Sequence, residues 1–116
     1  MPKTTIFHNP RCSKSCATLK LLEDKGININ VIKYLETPPD KETLIYILEQ
    51  LKLEPRELMR RHEKEYADNA LDNPSLSRDD LIATMLQFPR LIERPIVINQ
   101  GKVAIGRPLE NILEIL

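Results

Sequence analysis

The spacing of apolar residues changes several times along the chain, and each change marks an element. Thr4-Thr5-Ile6-Phe7-His8 is a short β-branched and apolar run closed by Asn9-Pro10, which predicts a buried strand over 4–8. From about Lys14 to Lys25 the apolar positions Ala17, Leu21 and Leu22 fall at helical spacing, and Gly26 supplies the stop. Ile29 to Tyr34 is again β-branched and partly alternating, a second strand. Strand, helix and strand within about thirty residues make a crossover unit with parallel strands.

The middle of the chain reads as helical. Thr37-Pro38-Pro39-Asp40 turns into a helix with Asp40 as its N-cap and Leu44, Ile45, Leu48 and Leu51 as its apolar stripe. A short helix starts at Pro55 and runs to about Arg61, and 63–73 is loop with some helix. Ser77 and Asp80 form a capping box ahead of Leu81, Ile82, Met85 and Leu86, and Pro89 closes that helix. Pro95-Ile96-Val97-Ile98 and Lys102-Val103-Ala104-Ile105 flank Asn99-Gln100-Gly101, a hairpin signal. A last helix from Pro108 is expected to bury Leu109, Ile112, Leu113 and Leu116. The order β-α-β, helical insertion at about 38–90, β-β-α predicts one α/β domain over 1–116. Its core is a mixed four-stranded sheet with helices on both faces and a helical lid.

Composition narrows the function classes. Lys+Arg and Asp+Glu are 17 each, and aromatic residues are 4% of the 116. Without a basic excess or stacking platforms, no nucleic acid is expected as partner. The three glycines (Gly26, Gly101 and Gly106) cannot build a phosphate-cradling fingerprint. No apolar run approaches the ~18–20 residues of a membrane helix, and the N-terminus shows no apolar leader. Two cysteines are too few for a disulfide scaffold, so a cytoplasmic protein with reduced thiols is expected.

Cys12 lies between the end of the first strand and the start of the first helix, where backbone N–H groups and the positive end of the helix dipole converge. A thiol placed there is acidified, because its thiolate is the favoured form. Arg11 and Lys14 add positive charge nearby. The polar surroundings of this loop speak against burial of Cys12 as a small core residue. Arg60, Arg94 and Arg107 each stand at the end of a predicted element, and guanidinium forks from three segments would cradle a tetrahedral oxyanion. His8, Cys12, Cys16 and His62 count as four zinc-type ligands. However, Pro10 interrupts them and no paired spacing appears, so no metal is expected, and His62 belongs on a charged, solvated face with Arg61 and Glu63. Cys16 is expected to pack on the inner face of the helix beside Leu19 and the stem of Lys20.

Five segments in order carry a resemblance that covers essentially the whole chain. They are His-Asn-Pro-Arg-Cys-Ser-Lys-Ser at 8–15, Tyr-Leu-Glu-Thr-Pro-Pro at 34–39, Glu-Leu-Met-Arg-Arg at 57–61, Glu-Arg-Pro-Ile-Val at 93–97 and Ile-Gly-Arg-Pro at 105–108. The chain resembles the glutaredoxin-coupled arsenate reductase family of the ArsC type. The resemblance implies a thioredoxin-like fold, with a cis peptide at Arg94-Pro95. It implies that Cys12 attacks arsenate, that His8 and Ser15 assist the thiolate, and that Arg60, Arg94 and Arg107 hold the oxyanion. Glutathione is implied as co-substrate and glutaredoxin as partner, with no bound cofactor. The family commonly has arginine after the position of Ser15, where this chain has Cys16. A thiol oxidoreductase, or a thioredoxin-like regulatory or binding protein without arsenate activity, is the alternative. The spacing of Cys12 and Cys16 is not the CxxC of thioredoxins, and a binding protein would not require the three arginines together with Cys12.

Overall fold

Residues Thr4–His8 (β1) pair in parallel with Ile29–Lys33 (β2) and antiparallel with Ile96–Asn99 (β3), which pairs antiparallel with Lys102–Ile105 (β4). The structure is a computed structural model that describes residues 4–106 and 109–116. Sheet order is β2-β1-β3-β4, and the helix Ser13–Asp24 (α1) connects the two parallel strands. The β3–β4 turn is two residues long, because Asn99 pairs with Lys102 as the last rung of the ladder. Gln100 and Gly101 carry it at φ 51° and 85°, the left-handed pair that matches the twist of a hairpin.

Register puts Ile6, Val97 and Ala104 side by side across three strands. Leu22 from α1 and Ile112 from the chain end close over them, and all five are buried. Truncating either Leu22 or Ile112 would cost about 2–5 kcal/mol, as for other fully enclosed aliphatics. Asn99 ties this unit together laterally. Its Oδ1 accepts from Thr4 Oγ1 at 2.8 Å and its Nδ2 donates to the Ile115 carbonyl at 2.6 Å.

The last element departs from the sequence expectation. It is a 3₁₀ helix over Leu109–Ile115, and three residues per turn align 109, 112 and 115 rather than a 3.6-residue stripe. Ile112 is therefore buried and Ile115 packs on the core, while Leu113 and Leu116 stand 46% and 41% exposed.

Cα proximity divides the chain into two units, Met1–Thr37 with Arg94–Leu116, and Pro38–Glu93. In the second, Lys41–Leu51 (α2) opens on Asp40, whose carboxylate accepts from the Thr43 N–H at 2.7 Å. Its buried stripe is Leu44, Ile47 and Leu48, with Ile45 and Leu51 only half-buried. A 3₁₀ turn over Pro55–Leu58 and the short helix Lys64–Asp68 (α3) follow. Arg56 fixes the loop beyond α3 by donating to the carbonyls of Leu71 (2.8 Å) and Asn73 (2.6 Å). Arg78–Gln87 (α4) starts with both arms of the Ser77/Asp80 capping box in place and packs against α2. With its four-stranded mixed sheet carrying α1 and a terminal helix, the fold is thioredoxin-like. Among the described residues no helix is long and apolar enough to cross a membrane.

Candidate active site at the start of the first helix

The loop leaving β1 is shaped by Asn9. Its side-chain Oδ1 accepts from the Arg11 N–H at 2.9 Å, and its carbonyl accepts from the Cys12 N–H at 3.0 Å. This is the local turn chemistry that asparagine favours, and it places Cys12 at the N-cap of α1 with extended φ/ψ of −100° and 120°. No acidic residue occupies the first turn. The donors that a Ser or Asp cap would occupy are turned toward sulfur instead.

Burial of Cys12 raises its thiol pKa, but opposing contacts outweigh it. Backbone N–H groups of Ser15 and Lys14 and the guanidinium of Arg94 hydrogen-bond the sulfur, and the net direction is below the ordinary thiol value. Arg94 is half-buried. Desolvation weakens its charged form, while the hydrogen bond to Cys12 and the neighbouring Tyr34 hold the proton more firmly, and the net direction is upward. Arg94 begins the segment leading into β3, and its peptide bond to Pro95 is cis.

Ser15 holds the site from below. It is fully buried, its Oγ accepts from the Asn9 N–H at 3.0 Å, and His8 Nδ1 lies 2.6 Å away. Burial of the imidazole, with the Lys33 ammonium nearby, lowers the His8 pKa below its usual range, so the ring is neutral at pH 7. One residue thus presents its N–H to the sulfur and its hydroxyl to a buried histidine. Such a site can stabilise a thiolate and offer a guanidinium fork to an anion approaching it.

Residues 7–115 match the ArsC family. The chain belongs to the ArsC family. It is 51% identical to an arsenate reductase of Neisseria meningitidis serogroup A over the full length of both chains. It is 39% identical to an arsenate reductase of Escherichia coli, covering all of this chain and 82% of the relative. The solved arsenate reductase of Vibrio cholerae superposes with a TM-score of 0.94 at 50% identity, covering 99% of this chain and 98% of that one.

Of the residues that the ArsC pattern singles out, the structure brings together His8, Cys12, Ser15 and Arg94. Arg60 lies in the second unit, where its side chain pairs with Glu63 and, at 3.8 Å, with Glu93. Arg107 lies outside the described residues. His62 is exposed, and among the described residues no group of three or more His, Cys, Asp or Glu is set to hold a metal ion.

Two expectations about this ArsC site are corrected. Cys12 is not open to solvent but only 7% exposed, because Arg94 and the first turn of α1 close over it. Cys16 does not pack inward and is exposed, with its Sγ donating to the Pro10 carbonyl at 3.3 Å. The inner face of α1 is taken by Ser15, Thr18 and Leu22 instead. Tyr34, which sequence reasoning treated as a strand residue, is 1% exposed beside Arg94. A buried phenol needs a polar neighbour, and that need was the available signal.

Proposed function

We propose that this chain is an arsenate reductase that draws its electrons from glutathione and glutaredoxin. The observation that carries the reading is Cys12, acidified at the start of α1 with the Arg94 guanidinium on its sulfur. An anionic nucleophile must meet an anionic substrate, and the approach is repulsive unless positive charge is fixed beside both. Arg94 serves in this role, and the ArsC resemblance assigns Arg60 and Arg107 to the oxyanion as well.

The Cys12 thiolate attacks arsenic, an As–O bond breaks, the oxygen leaves as water after protonation, and a thiol-arsenate adduct remains. The glutathione thiolate attacks the Cys12 sulfur of that adduct, the S–As bond breaks with its electron pair left on arsenic, and As(V) leaves as As(III), arsenite. Glutaredoxin takes the glutathionyl group from the resulting Cys12–glutathione disulfide and regenerates Cys12. His8 and Ser15 do not touch the oxyanion. They hold the Ser15 N–H against sulfur, which keeps the leaving thiolate stable. Reduced thiols at this site suit the cytoplasm, and no bound cofactor is needed.

The test is NADPH consumption with arsenate, glutathione, glutaredoxin and glutathione reductase, run beside Cys12→Ser. Turnover that needs all components and is absent in Cys12→Ser is expected. Arsenate-independent NADPH consumption would instead identify a general thiol oxidoreductase, and no consumption at all a binding protein.

A further inference from the structure

Cys16 sits one helical turn beyond Cys12, and the Cys16 N–H bonds the Cys12 carbonyl at 3.0 Å. The separation of such a pair is about 6 Å between Cα atoms by helix geometry. Disulfides span ~4.4–6.8 Å. Helical side chains lean toward the N-terminus, and Cys16 does so, placing its Sγ against the Pro10 carbonyl in the loop that carries Cys12. The sulfur is exposed and makes no contribution to the core.

The first turn of α1 has no acidic residue to complement the helix dipole, and Lys14 adds a like charge. Ser15 is anchored by Asn9 and His8, and the Cys12 sulfur is held by hydrogen bonds from Arg94, Ser15 and Lys14. Bonding to Cys16 requires the Cys12 sulfur to leave those donors.

We propose that Cys16 is a resolving thiol for Cys12, acting on a mixed disulfide between Cys12 and glutathione. The Cys16 thiolate attacks the Cys12 sulfur, the bond between Cys12 and the glutathionyl sulfur breaks, and glutathione leaves as its thiolate. The products are an internal Cys12–Cys16 disulfide and one glutathione, with no net change in oxidation state. A second thiol fixed on the same helix competes well with glutathione in solution, since its attack is intramolecular. The device rests on Cys12 being the nucleophile of the proposed function, and it gives this chain a way to shed glutathione without glutaredoxin.

Purified, reduced protein is treated with glutathione disulfide at neutral pH without oxygen, then alkylated and cut with trypsin, which cleaves after Lys14 between the two cysteines. Wild type is expected to lose two hydrogens and yield the peptide 12–14 linked to 15–20. Cys16→Ala is expected to keep a glutathionyl group on Cys12, and Cys12→Ser to be modified at Cys16 more slowly than wild type links. A stable glutathionyl group on wild-type Cys12, to the same extent as in Cys16→Ala, overturns the proposal while leaving Cys12 as nucleophile. Equal rates in Cys12→Ser and wild type overturn it by reversing the roles. Unmodified Cys12 in every protein removes both the resolving step and the nucleophile reading.

Discussion

His8 Nδ1 lies 2.6 Å from Ser15 Oγ, with both side chains buried, and the same hydroxyl accepts from the Asn9 N–H. The pair joins the end of β1 to the first turn of α1, and the Ser15 N–H in turn reaches the Cys12 sulfur. The Cys12 sulfur is therefore linked through Ser15 to a buried polar contact between strand and helix.

Ser15→Ala should strand the Asn9 N–H and the His8 ring in a buried site. Leaving buried donors unpaired costs about 1–3 kcal/mol, read from urea unfolding. The same variant should raise the Cys12 thiol pKa, read from the pH dependence of iodoacetamide labelling, because the first turn is no longer pinned. A Ser15→Ala protein that loses stability with an unchanged labelling curve would confine Ser15 to a structural role.

His8 supplies a pH dependence with a definite sign. Its folded pKa is lowered, by burial first and by Lys33 second, so between that value and the unfolded ~6.5 the unfolded chain binds more protons. Stability should fall as pH drops below ~6.5 and level off below the folded value, with nothing lost above ~6.5. His8→Gln removes the titrating group, and its unfolding midpoint should vary less across that window. An identical slope in both proteins would place the acid sensitivity elsewhere.

How much of this was legible beforehand follows from range. Asp40 and Ser77 reveal themselves as caps because a cap is a contact across three residues. The hairpin was legible from Asn99-Gln100-Gly101 between two strand signals, but Asn99 belongs to the ladder and the turn is only Gln100-Gly101. The acidifying surroundings of Cys12 were legible from its place between strand and helix. Its burial was not, since Arg94 closes over it from a segment some eighty residues away. Cys16 was misjudged because a small apolar residue fits either face of a helix, and Ser15 and Thr18 took the inner one. The exposure of Leu113 and Leu116 turned on a 3₁₀ period that apolar spacing alone does not distinguish from an α-helical one.

Gly106 is required by close approach rather than by its backbone angles. A Cβ there would come within 2.6 Å of Thr18 Oγ1 and 2.8 Å of Pro95 Cγ, while its N–H bonds the Pro95 carbonyl at 2.9 Å. Gly106→Ala should destabilise by about 1–3 kcal/mol, the usual cost of overpacking. Adding Thr18→Ala should recover part of that loss, since it removes one of the two colliding groups. Full additivity of the two changes in thermal melts would refute the contact.

Arg94 separates charge from geometry at the sulfur. Arg94→Ala should raise the Cys12 thiol pKa, because a hydrogen bond and a fixed positive charge are both lost while burial still favours the neutral thiol. A lowered thiol pKa contributes stability that is complete above the unfolded value of ~8.5 and disappears as pH falls through the folded value. The stability advantage of wild type over Arg94→Ala should therefore widen as pH rises toward ~8.5, measured by denaturant titration at several pH values. Arg94→Lys should keep much of that electrostatic advantage, since an ammonium also favours the thiolate. It should not restore arsenate turnover, because a point charge lacks the planar fork needed to serve sulfur and oxyanion together. Restored turnover in Arg94→Lys would show that charge alone suffices there, and an unshifted labelling curve in Arg94→Ala would remove Arg94 from the acidification of Cys12.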